Sequence, residues 1–339
     1  MKLAIHKSLG SFSERWINYC DENDISYKIV NCYDSDIVKQ LDDCNALLWH
    51  YHHANFTDSI MAKQLLFALE QSGKSVYPNS NTTWYFDDKI GQKYLLEAID
   101  IPFVDTHVFY NKKEACSWIK TQDFPKVFKL RGGAGSINVK LLKSKREGLR
   151  YAKKAFAKGF KKYNGWIPFR DKFKKFTKGN ESGLNVIKAF GRMLIPTEFM
   201  KYSPRERGYL YIQEFCAGND SDIRVIVVGK RAFAIKRLVR ENDFRASGSG
   251  HILYSKEEFD IRCIAMAFEL NKKLKTQSLA IDFVFDSSDN PIIIEISYGW
   301  HVKGYDSCPG YWDNDLNWVE GKFDPYGWMI ENLTKESSL

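Results

Sequence analysis

The N-terminal part of the chain alternates short apolar runs with longer segments in which apolar residues recur at helical spacing. The short runs predict four strands, at residues 3–5, 27–30, 46–49 and 75–77. The segments 12–24 and 59–71 have the pattern of amphipathic helices. Because neighbouring parallel strands need a crossover connection, this alternation predicts a small open α/β lobe that ends near Asn81.

A second region follows, with a glycine-rich loop at its centre. We expect a helix at 89–100, strands at 106–109, 126–130 and 139–142, and a lysine-rich helix at 144–158. The loop Arg131-Gly132-Gly133-Ala134-Gly135-Ser136 joins two of these strands. That order differs from the strand, loop, helix order of a P-loop or a dinucleotide-binding fold. Residues 159–207 show no clear pattern and are interpreted as an insertion.

The C-terminal part of the chain is rich in strands. They are predicted at residues 210–215, 223–228, 232–238, 279–285 and 291–296, with a helix at 257–270. A tight turn at Gly229-Lys230-Arg231 joins the second and third of these strands. The pattern therefore predicts a mixed α/β (α+β) protein of two or three closely packed lobes.

The composition is that of a folded protein, with 44% hydrophobic and 27% charged residues among 339. The net charge of +8 is compatible with nucleic acid, an anionic surface or a phosphorylated small substrate. Much of the excess lies between Lys143 and Lys188, where basic and aromatic residues alternate. Two interpretations stay open for this stretch: a solvated face whose aromatic residues pack inward, or a surface for an anionic partner.

The cysteines and the N-terminal residues give an expectation about the cellular compartment of the protein. The seven cysteines are scattered singly, which favours reduced thiols over a disulfide framework or a structural zinc site. The N-terminus becomes polar before a signal-peptide core could form, and no stretch has the length and apolarity of a membrane span. We therefore expect a cytoplasmic protein.

Two carboxylates lie inside apolar runs near the C-terminal end. Asp282 interrupts Ala280-Ile281-Asp282-Phe283-Val284, and Glu295 interrupts Ile292-Ile293-Ile294-Glu295-Ile296. An unpaired carboxylate in such a setting costs several kcal/mol, so each needs a partner. On adjacent antiparallel strands, with Ser297 on the face of Glu295, the two acids predict a hard-oxygen site for magnesium that bridges phosphates. The alternative is a pair of structural salt bridges.

Groups suited to phosphate precede these acids. The glycine-rich loop lets backbone N–H groups approach an anion, although a plain hairpin turn would use the same residues. Lys129 and Arg131 place positive charge beside it. In Asp222-Ile223-Arg224 the acid and the guanidinium lie on one side of a strand, where they suit a ribose hydroxyl and a phosphate, or form a surface ion pair.

These features occur in a characteristic order along the chain. The motifs are Asp88-Lys89, Phe128-Lys129, the glycine-rich loop, Ile212-Gln213-Glu214-Phe215, Asp222-Ile223-Arg224, Asp243-Phe244-Arg245-Ala246-Ser247, Asp282 and Glu295-Ile296-Ser297. Together they resemble the ATP-grasp superfamily, and most of all the branch that holds glutathione synthetase and the RimK-like ligases, which add glutamate to a ribosomal protein. The likeness spans roughly residues 76–299.

The resemblance implies a nucleotide site. Lys89 and Lys129 match the lysines that contact nucleotide phosphates. The lid over the phosphates matches Gly132, Gly133, Gly135 and Ser136. The hinge that reads the adenine matches Gln213, Glu214 and the backbone of Phe215, and Asp222 matches the acid that faces the ribose.

The resemblance also implies charged groups at the reacting phosphate. Arg224, Arg245 and Lys236 match positive positions near the γ-phosphate and the acyl phosphate, and Asp282 and Glu295 match magnesium ligands. Ser297 departs from the family, which usually has asparagine there; a serine hydroxyl still offers an oxygen to magnesium, but it is shorter and a poorer donor than an amide carbonyl.

The implied fold is the ATP-grasp fold preceded by an open α/β lobe. We expect three lobes: residues 1–81 (the N-terminal α/β lobe), 82–205 (the small ATP-grasp lobe with the lid and the basic, aromatic insertion) and 206–339 (the C-terminal lobe with the magnesium and nucleotide site). The implied activity is an ADP-forming carboxylate–amine ligase that uses ATP and Mg²⁺, on a small-molecule or cell-envelope acceptor that could be anionic.

Alternatives to this activity are an ATP-grasp phosphotransferase and an inactive nucleotide-binding protein. Nucleic acid is disfavoured as a partner, and a homo-oligomer stays open.

Overall fold

The protein is described by a computed structural model that covers residues 1–133, 138–162, 173, 176–177, 182–194, 202–240 and 243–336. Backbone contacts divide the chain into two compact units. The first consists of Met1–His52, Thr57–Val104 and Cys216–Leu339, and the second of His53–Phe56 and Asp105–Phe215. The division into three lobes that the sequence suggests stays a prediction.

Within the described ranges the chain forms strands and helices in the following order. The strands are β1 Leu3–His6, β2 Tyr27–Val30, β3 Ala46–Leu48, β4 Ser75–Tyr77, β5 Thr106–Phe109, β6 Lys126–Lys129, β7 Val139–Leu142, β8 Leu210–Glu214, β9 Ser221–Val228, β10 Arg231–Leu238, β11 Ile252–Leu253, β12 Ser278–Phe285, β13 Pro291–Ser297, β14 Gly310–Asp313 and β15 Trp318–Glu320. The α-helices are α1 Ser13–Glu22, α2 Ile37–Gln40, α3 Phe56–Gln71, α4 Ser80–Thr83, α5 Lys89–Ala98, α6 Lys112–Thr121, α7 Lys145–Ala155, α8 Gly183–Leu194, α9 Ile261–Leu274 and α10 Pro325–Glu336.

The N-terminal sheet has the order β2-β1-β3-β4, and its described neighbours pair in parallel. Its strands are short and largely buried; Leu3, Ile5 and Leu47 are fully buried. Both the strands and the two crossover helices α1 and α3 were predicted from the apolar pattern, so the open α/β region is confirmed.

A larger antiparallel sheet completes the first unit, in the order β13-β12-β9-β10-β14-β15, with β11 beside β10. β9 and β10 form a hairpin in which Arg231 lies opposite Val228. The two-residue loop needs a left-handed residue, and Gly229 supplies it with φ +59°. The predicted tight turn is therefore present.

The two faces of this sheet pack against different cores. Val225, Val227 and Leu279 belong to a core shared with α9. Ile226 and Phe233 point the other way, into a core that they share with the N-terminal sheet. Side chains alternate along a strand, so the positions in phase with Ile226 on β9 all lie on this second face, and they include the charged residues described below.

The second unit holds an antiparallel sheet of order β5-β8-β6-β7. β6 and β7 flank the glycine-rich loop, with Lys129 opposite Val139. The predicted strand, loop, strand order is thus confirmed. Phe128, Leu142 and Ile212 are buried in the core of this unit, together with residues of α6 and α7.

Some element boundaries were predicted wrongly or missed. The helix predicted at 257–270 is α9, which begins four residues later because the Asp260 side chain caps it by accepting from the backbone of Arg262. Within the predicted insertion 159–207 the described residues include α8, and α6, α10, β14 and β15 were not predicted. None of the helices in the described part of the chain combines the length and apolarity needed to cross a membrane.

Candidate functional site

Asp282 and Glu295 face each other across two neighbouring strands. β12 and β13 are antiparallel, and Asp282 lies directly opposite Glu295. On the other side of β12, Arg224 of β9 lies opposite Asp282. Because directly paired residues share a face of the sheet, the two acids and the guanidinium form one row across three strands. The predicted placement of both acids on one face is present.

A β-bulge lies beside Glu295. The register passes from Asp282 opposite Glu295 to Phe283 opposite Ile293, so Ile294 is an additional residue of β13. A bulge interrupts the alternation of side chains and re-aims those next to it. Ile293 and Ile296 can therefore both enter the same core, although regular alternation would send them to opposite faces.

Lys89 is brought to Glu295 by α5. Asp88 caps the start of this helix, and one turn later the Gln92 side-chain oxygen accepts from the backbone nitrogen of Ile296 at 3.3 Å. The helix is thus fixed against β13. Lys89 is only 4% exposed, and its Nζ lies 3.0 Å from Glu295 Oε1. A buried ammonium and a carboxylate thus meet within the first unit.

Two arginines hold Asp282. Arg224 binds it through Nε, and Arg224 Nη2 lies 2.6 Å from Asp282 Oδ2. Arg237 Nη2 lies 2.9 Å from the same oxygen. Arg237 also binds Asp222 in a fork, with Nε 2.6 Å from Oδ1 and Nη2 2.8 Å from Oδ2. The result is a neutral cluster of two acids and two guanidinium groups, here called the Asp–Arg cluster.

The charges of this cluster set the ionisation of its acids. Burial would raise the pKa of the Asp282 carboxyl, but Arg224 and Arg237 hold that pKa below its usual range. Burial raises the pKa of Asp222, and Arg237 opposes the rise. Asp282 is therefore an anionic oxygen donor at neutral pH, as a magnesium ligand must be.

The structure does not bring Lys236 to this row. Lys236 lies opposite Ile223 on β10, on the face that packs against α9, and its Nζ is 2.9 Å from Glu258 Oε2. Its neighbour Arg237 occupies the face of Asp282 instead. The sequence analysis missed Arg237, whose pairing with Asp222 could have been found by following the alternation from Asp222 through the Gly229-Lys230 turn.

The hydrogen-bonding partner of Asp222 differs from the predicted one. It was predicted to face a ribose or to form a surface ion pair with Arg224. In the structure it is 6% exposed, and both carboxylate oxygens accept from Arg237. The ion pair is therefore buried and has another partner, and contact with a ribose stays a prediction.

Arg245 and Ser297 are half-buried. Arg245 forms a fork with Asp243, with Nε 2.9 Å from Oδ1 and Nη2 2.5 Å from Oδ2. Burial would raise the pKa of Asp243, but the hydrogen bonds from Arg245 lower it. Ser297 lies opposite Ala280, in phase with the acids, and its Oγ accepts from the backbone nitrogen of Gly299 at 3.3 Å. The phosphate contact of Arg245 and the metal contact of Ser297 stay predictions.

The second unit carries the predicted groups of the glycine-rich loop. Lys129 ends β6 and is 6% exposed. Arg131 donates its backbone N–H to the Tyr209 hydroxyl at 2.7 Å, which fixes the start of the loop. Gly132 is buried, and Gly133 has φ +112°, a conformation that favours glycine. Gly135 and Ser136 lie outside the described residues.

The predicted adenine hinge lies at the end of β8. The Gln213 side chain is buried and donates to Thr106 Oγ1 at 3.1 Å. Glu214 pairs with the buried ammonium of Lys126, so its carboxylate is already engaged. Phe215 is the last residue of the second unit. Adenine recognition by this segment stays a prediction.

Solved structures of low sequence identity share this architecture. D-alanine–D-alanine ligase from Bacillus anthracis complexed with ATP has a TM-score of 0.56 at 13% identity, over 100% of this chain and 98% of that one. A RimK domain protein of ATP-grasp type from Sphaerobacter thermophilus has a TM-score of 0.55 at 13% identity, over 98% and 99% of the two chains. The chain has the ATP-grasp fold.

Further comparisons agree with an ATP-grasp protein. The biotin carboxylase domain of Hydrogenobacter thermophilus 2-oxoglutarate carboxylase, solved with MgADP, ADP and bicarbonate, has a TM-score of 0.60 at 15% identity, over 98% of this chain and 69% of that one. The family model of the RimK-like ATP-grasp domain matches residues 205–309, the segment that holds the Asp–Arg cluster and Glu295. No curated protein matches the sequence significantly. The predicted resemblance to RimK-like ATP-grasp proteins is thus confirmed.

Proposed function

We propose that the protein is an ATP- and Mg²⁺-dependent ligase that activates a substrate carboxylate as an acyl phosphate and joins it to an amine. The observation that carries the proposal is the row of Glu295, Asp282 and Arg224 on one sheet face, with Lys89 at one end. Oxygen donors and fixed positive charges side by side are what a triphosphate and its metal ion require.

The ligands of the compared proteins support the choice of nucleotide and metal. The Bacillus anthracis ligase was solved with ATP, and the Hydrogenobacter domain with MgADP. In the present chain the donor set is made of carboxylates, which are the hard oxygen ligands that Mg²⁺ prefers. Asp282 and Glu295 would hold the ion, which when bound neutralises phosphate charge.

In the proposed reaction an oxygen of the substrate carboxylate attacks the γ-phosphorus of ATP. The bond from that phosphorus to the bridging oxygen breaks, and ADP leaves. The amine nitrogen then attacks the acyl carbon, phosphate leaves with the electrons of the C–O bond, and the nitrogen loses a proton. Neither step needs a protein nucleophile, since positioning and charge neutralisation supply most of the barrier reduction.

The chain's own residues have defined tasks in this scheme. Lys89 and Lys129 bind nucleotide phosphates. Arg224 and Arg245 stabilise the negative charge that develops at the transferred phosphoryl group and at the acyl phosphate. Arg237, rather than Lys236, is the basic residue of β10 on this face, and it orients Asp282.

The decisive experiment is an ATP-consumption screen with mixed carboxylates and amines, followed by mass measurement of the product. The proposal predicts ADP, free phosphate and a product whose mass is that of the two substrates less one water. A stable phosphoester would instead indicate phosphotransfer. Bound ATP with no ADP released across the whole panel would indicate an inactive nucleotide-binding protein.

A further inference from the structure

The two arginines of the Asp–Arg cluster are held very differently. Arg237 is 8% exposed and is locked by three contacts, two to Asp222 and one to Asp282. Arg224 is 21% exposed, and Asp282 is the carboxylate that it binds. Arg237 therefore cannot leave Asp282 without abandoning a second buried acid, whereas Arg224 can.

Arg224 also occupies the donor atoms that a metal ion would need. Its Nε and Nη2 bind both oxygens of Asp282, and Arg237 contacts only Oδ2. A carboxylate that already carries a guanidinium fork has less room and less attraction left for a divalent cation. A cation placed beside that guanidinium would in addition be repelled by it.

We infer that Arg224 is an exchangeable counter-ion of Asp282, which the metal ion displaces, whereas Arg237 is a fixed positioning residue that Asp222 holds in place. This inference rests on the proposed function, because it takes Asp282 as a metal ligand. On release, the Arg224 guanidinium becomes available to phosphate oxygens on the same face of the sheet. Binding of the metal and delivery of a positive charge to the nucleotide are thereby coupled.

The physical basis of this exchange is the charge balance of the buried Asp–Arg cluster. The two acids and two arginines sum to zero, so the cluster is stable without a metal ion. Entry of a divalent cation leaves an excess of positive charge unless one arginine moves away from the acid. Arg224 is the more exposed of the two, and its contact besides Asp282 is the uncharged Tyr305 hydroxyl rather than a second acid, so its departure costs less than that of Arg237.

The inference is tested by Mn²⁺ binding to the full-length protein without nucleotide, measured by electron paramagnetic resonance of free Mn²⁺. Arg224→Met should bind Mn²⁺ about tenfold more tightly than the unaltered protein, because the competitor is gone. Arg237→Met also removes a repelling charge, but it releases both Asp222 and Asp282, and we expect the loss of that orientation to outweigh the charge effect, so this variant should bind Mn²⁺ about tenfold or more weakly. If both arginines only stabilised the fold, the two substitutions would not change the Mn²⁺ affinity in opposite directions.

Further variants serve as a control and as replacements if a substituted protein does not fold. Arg231 lies on the same strand as Arg237 and pairs with Glu331, so Arg231→Met should leave Mn²⁺ affinity unchanged. If Arg237→Met does not fold, Asp222→Asn keeps the side-chain volume, weakens the hold on Arg237 and should lower Mn²⁺ affinity in the same direction. Arg224→Lys retains the charge without the fork and should lie between Arg224→Met and the unaltered protein.

Two results would overturn the inference: weaker or unchanged Mn²⁺ binding in Arg224→Met, or tighter binding in Arg237→Met. The experiment distinguishes failure of the Arg224 exchange from failure of the proposed ligase activity. If ADP and an amide form but both variants bind Mn²⁺ more weakly, the ligase stands and the exchange is wrong. If the signs are opposite but no carboxylate and amine consume ATP, the exchange stands and the ligase is wrong.

Discussion

Lys89 Nζ lies 3.0 Å from Glu295 Oε1, although the two residues are far apart in the sequence. One begins a helix of the N-terminal half of the chain, and the other lies on β13, the strand at one end of the larger sheet, in the C-terminal half. Their contact was predicted only indirectly, as two groups expected on one triphosphate. The ammonium and the carboxylate thus form an ion pair inside the first unit.

Lys89→Met is therefore expected to weaken ATP binding about 10- to 100-fold, since it removes a charge-assisted contact worth roughly 1.5–3 kcal/mol. Calorimetric titration with ATP and Mg²⁺ measures the loss. Lys93→Met is the matched control on the same helix, because Lys93 pairs with Glu97 instead. Equal effects of the two substitutions would contradict a phosphate contact of Lys89.

Glu295→Gln should abolish ADP formation, by about a thousandfold or more, while the protein stays folded, because an amide is a far poorer magnesium ligand than a carboxylate. Coupled detection of ADP gives the rate, and circular dichroism checks the fold. Glu320→Gln, on the exposed edge strand β15, is the control and should keep full activity. Unchanged turnover in Glu295→Gln would remove the metal assignment.

Lys129→Ala should weaken nucleotide binding, because it deletes a buried ammonium at the start of the glycine-rich loop. The expected loss is about tenfold or more. Lys140, on the neighbouring strand, is exposed and serves as the control, so Lys140→Ala should bind ATP normally. An ATP affinity that is the same in both variants would count against the role of Lys129.

Substitution of two glycines by alanine should change the free energy of unfolding in opposite directions. Gly159 has φ +64°, and a Cβ there would lie 2.4 Å from the carbonyl oxygen of Glu206, so Gly159→Ala should destabilise the protein by about 2 kcal/mol or more. Gly191 lies in α8 with open space where a Cβ would go, so Gly191→Ala should stabilise by about 0.5–1 kcal/mol. Urea unfolding of both variants gives the two free energies.

The placement of Asp282 and Glu295 on neighbouring strands was predictable from the sequence for a physical reason. Asp282 and Glu295 stand out because each interrupts a run of apolar residues. A buried carboxylate without a charged or hydrogen-bonding partner is destabilising, so each acid predicts a partner or a bound cation. Register then follows from strand pairing, which placed them opposite each other. What the pattern could not show is that Asp282 already has two partners, Arg224 and Arg237, on separate strands.

Lys236 was named from the family resemblance, and its neighbour Arg237 was not considered. Ala232 and Ala234 lie on one face of β10 and Phe233 and Ile235 on the other, and all four are buried. A strand that is apolar on both faces carries no alternation of its own, so the faces of two consecutive basic residues follow only from the register that the Gly229-Lys230 turn sets with β9.

Helix boundaries failed for a different reason. The helix was predicted to begin at Glu257, although residues 257–260 contain a single apolar side chain, Phe259, and so give no periodicity that would fix the start. The start is decided by one capping contact of Asp260, a local competition that periodicity does not measure.

The additional residue at Ile294 has a practical consequence for protein engineering and for comparison with relatives. The strand keeps its pairing with β12 on both sides of Ile294 because this extra residue is accommodated as a bulge, so its deletion should leave a regular strand in which Glu295 still lies opposite Asp282. A regular strand grafted at this place should therefore still present its acid opposite Asp282, but without the local bend and twist that the bulge adds. In an alignment with a relative whose strand is regular, the segments 291–293 and 295–297 need registers that differ by one position.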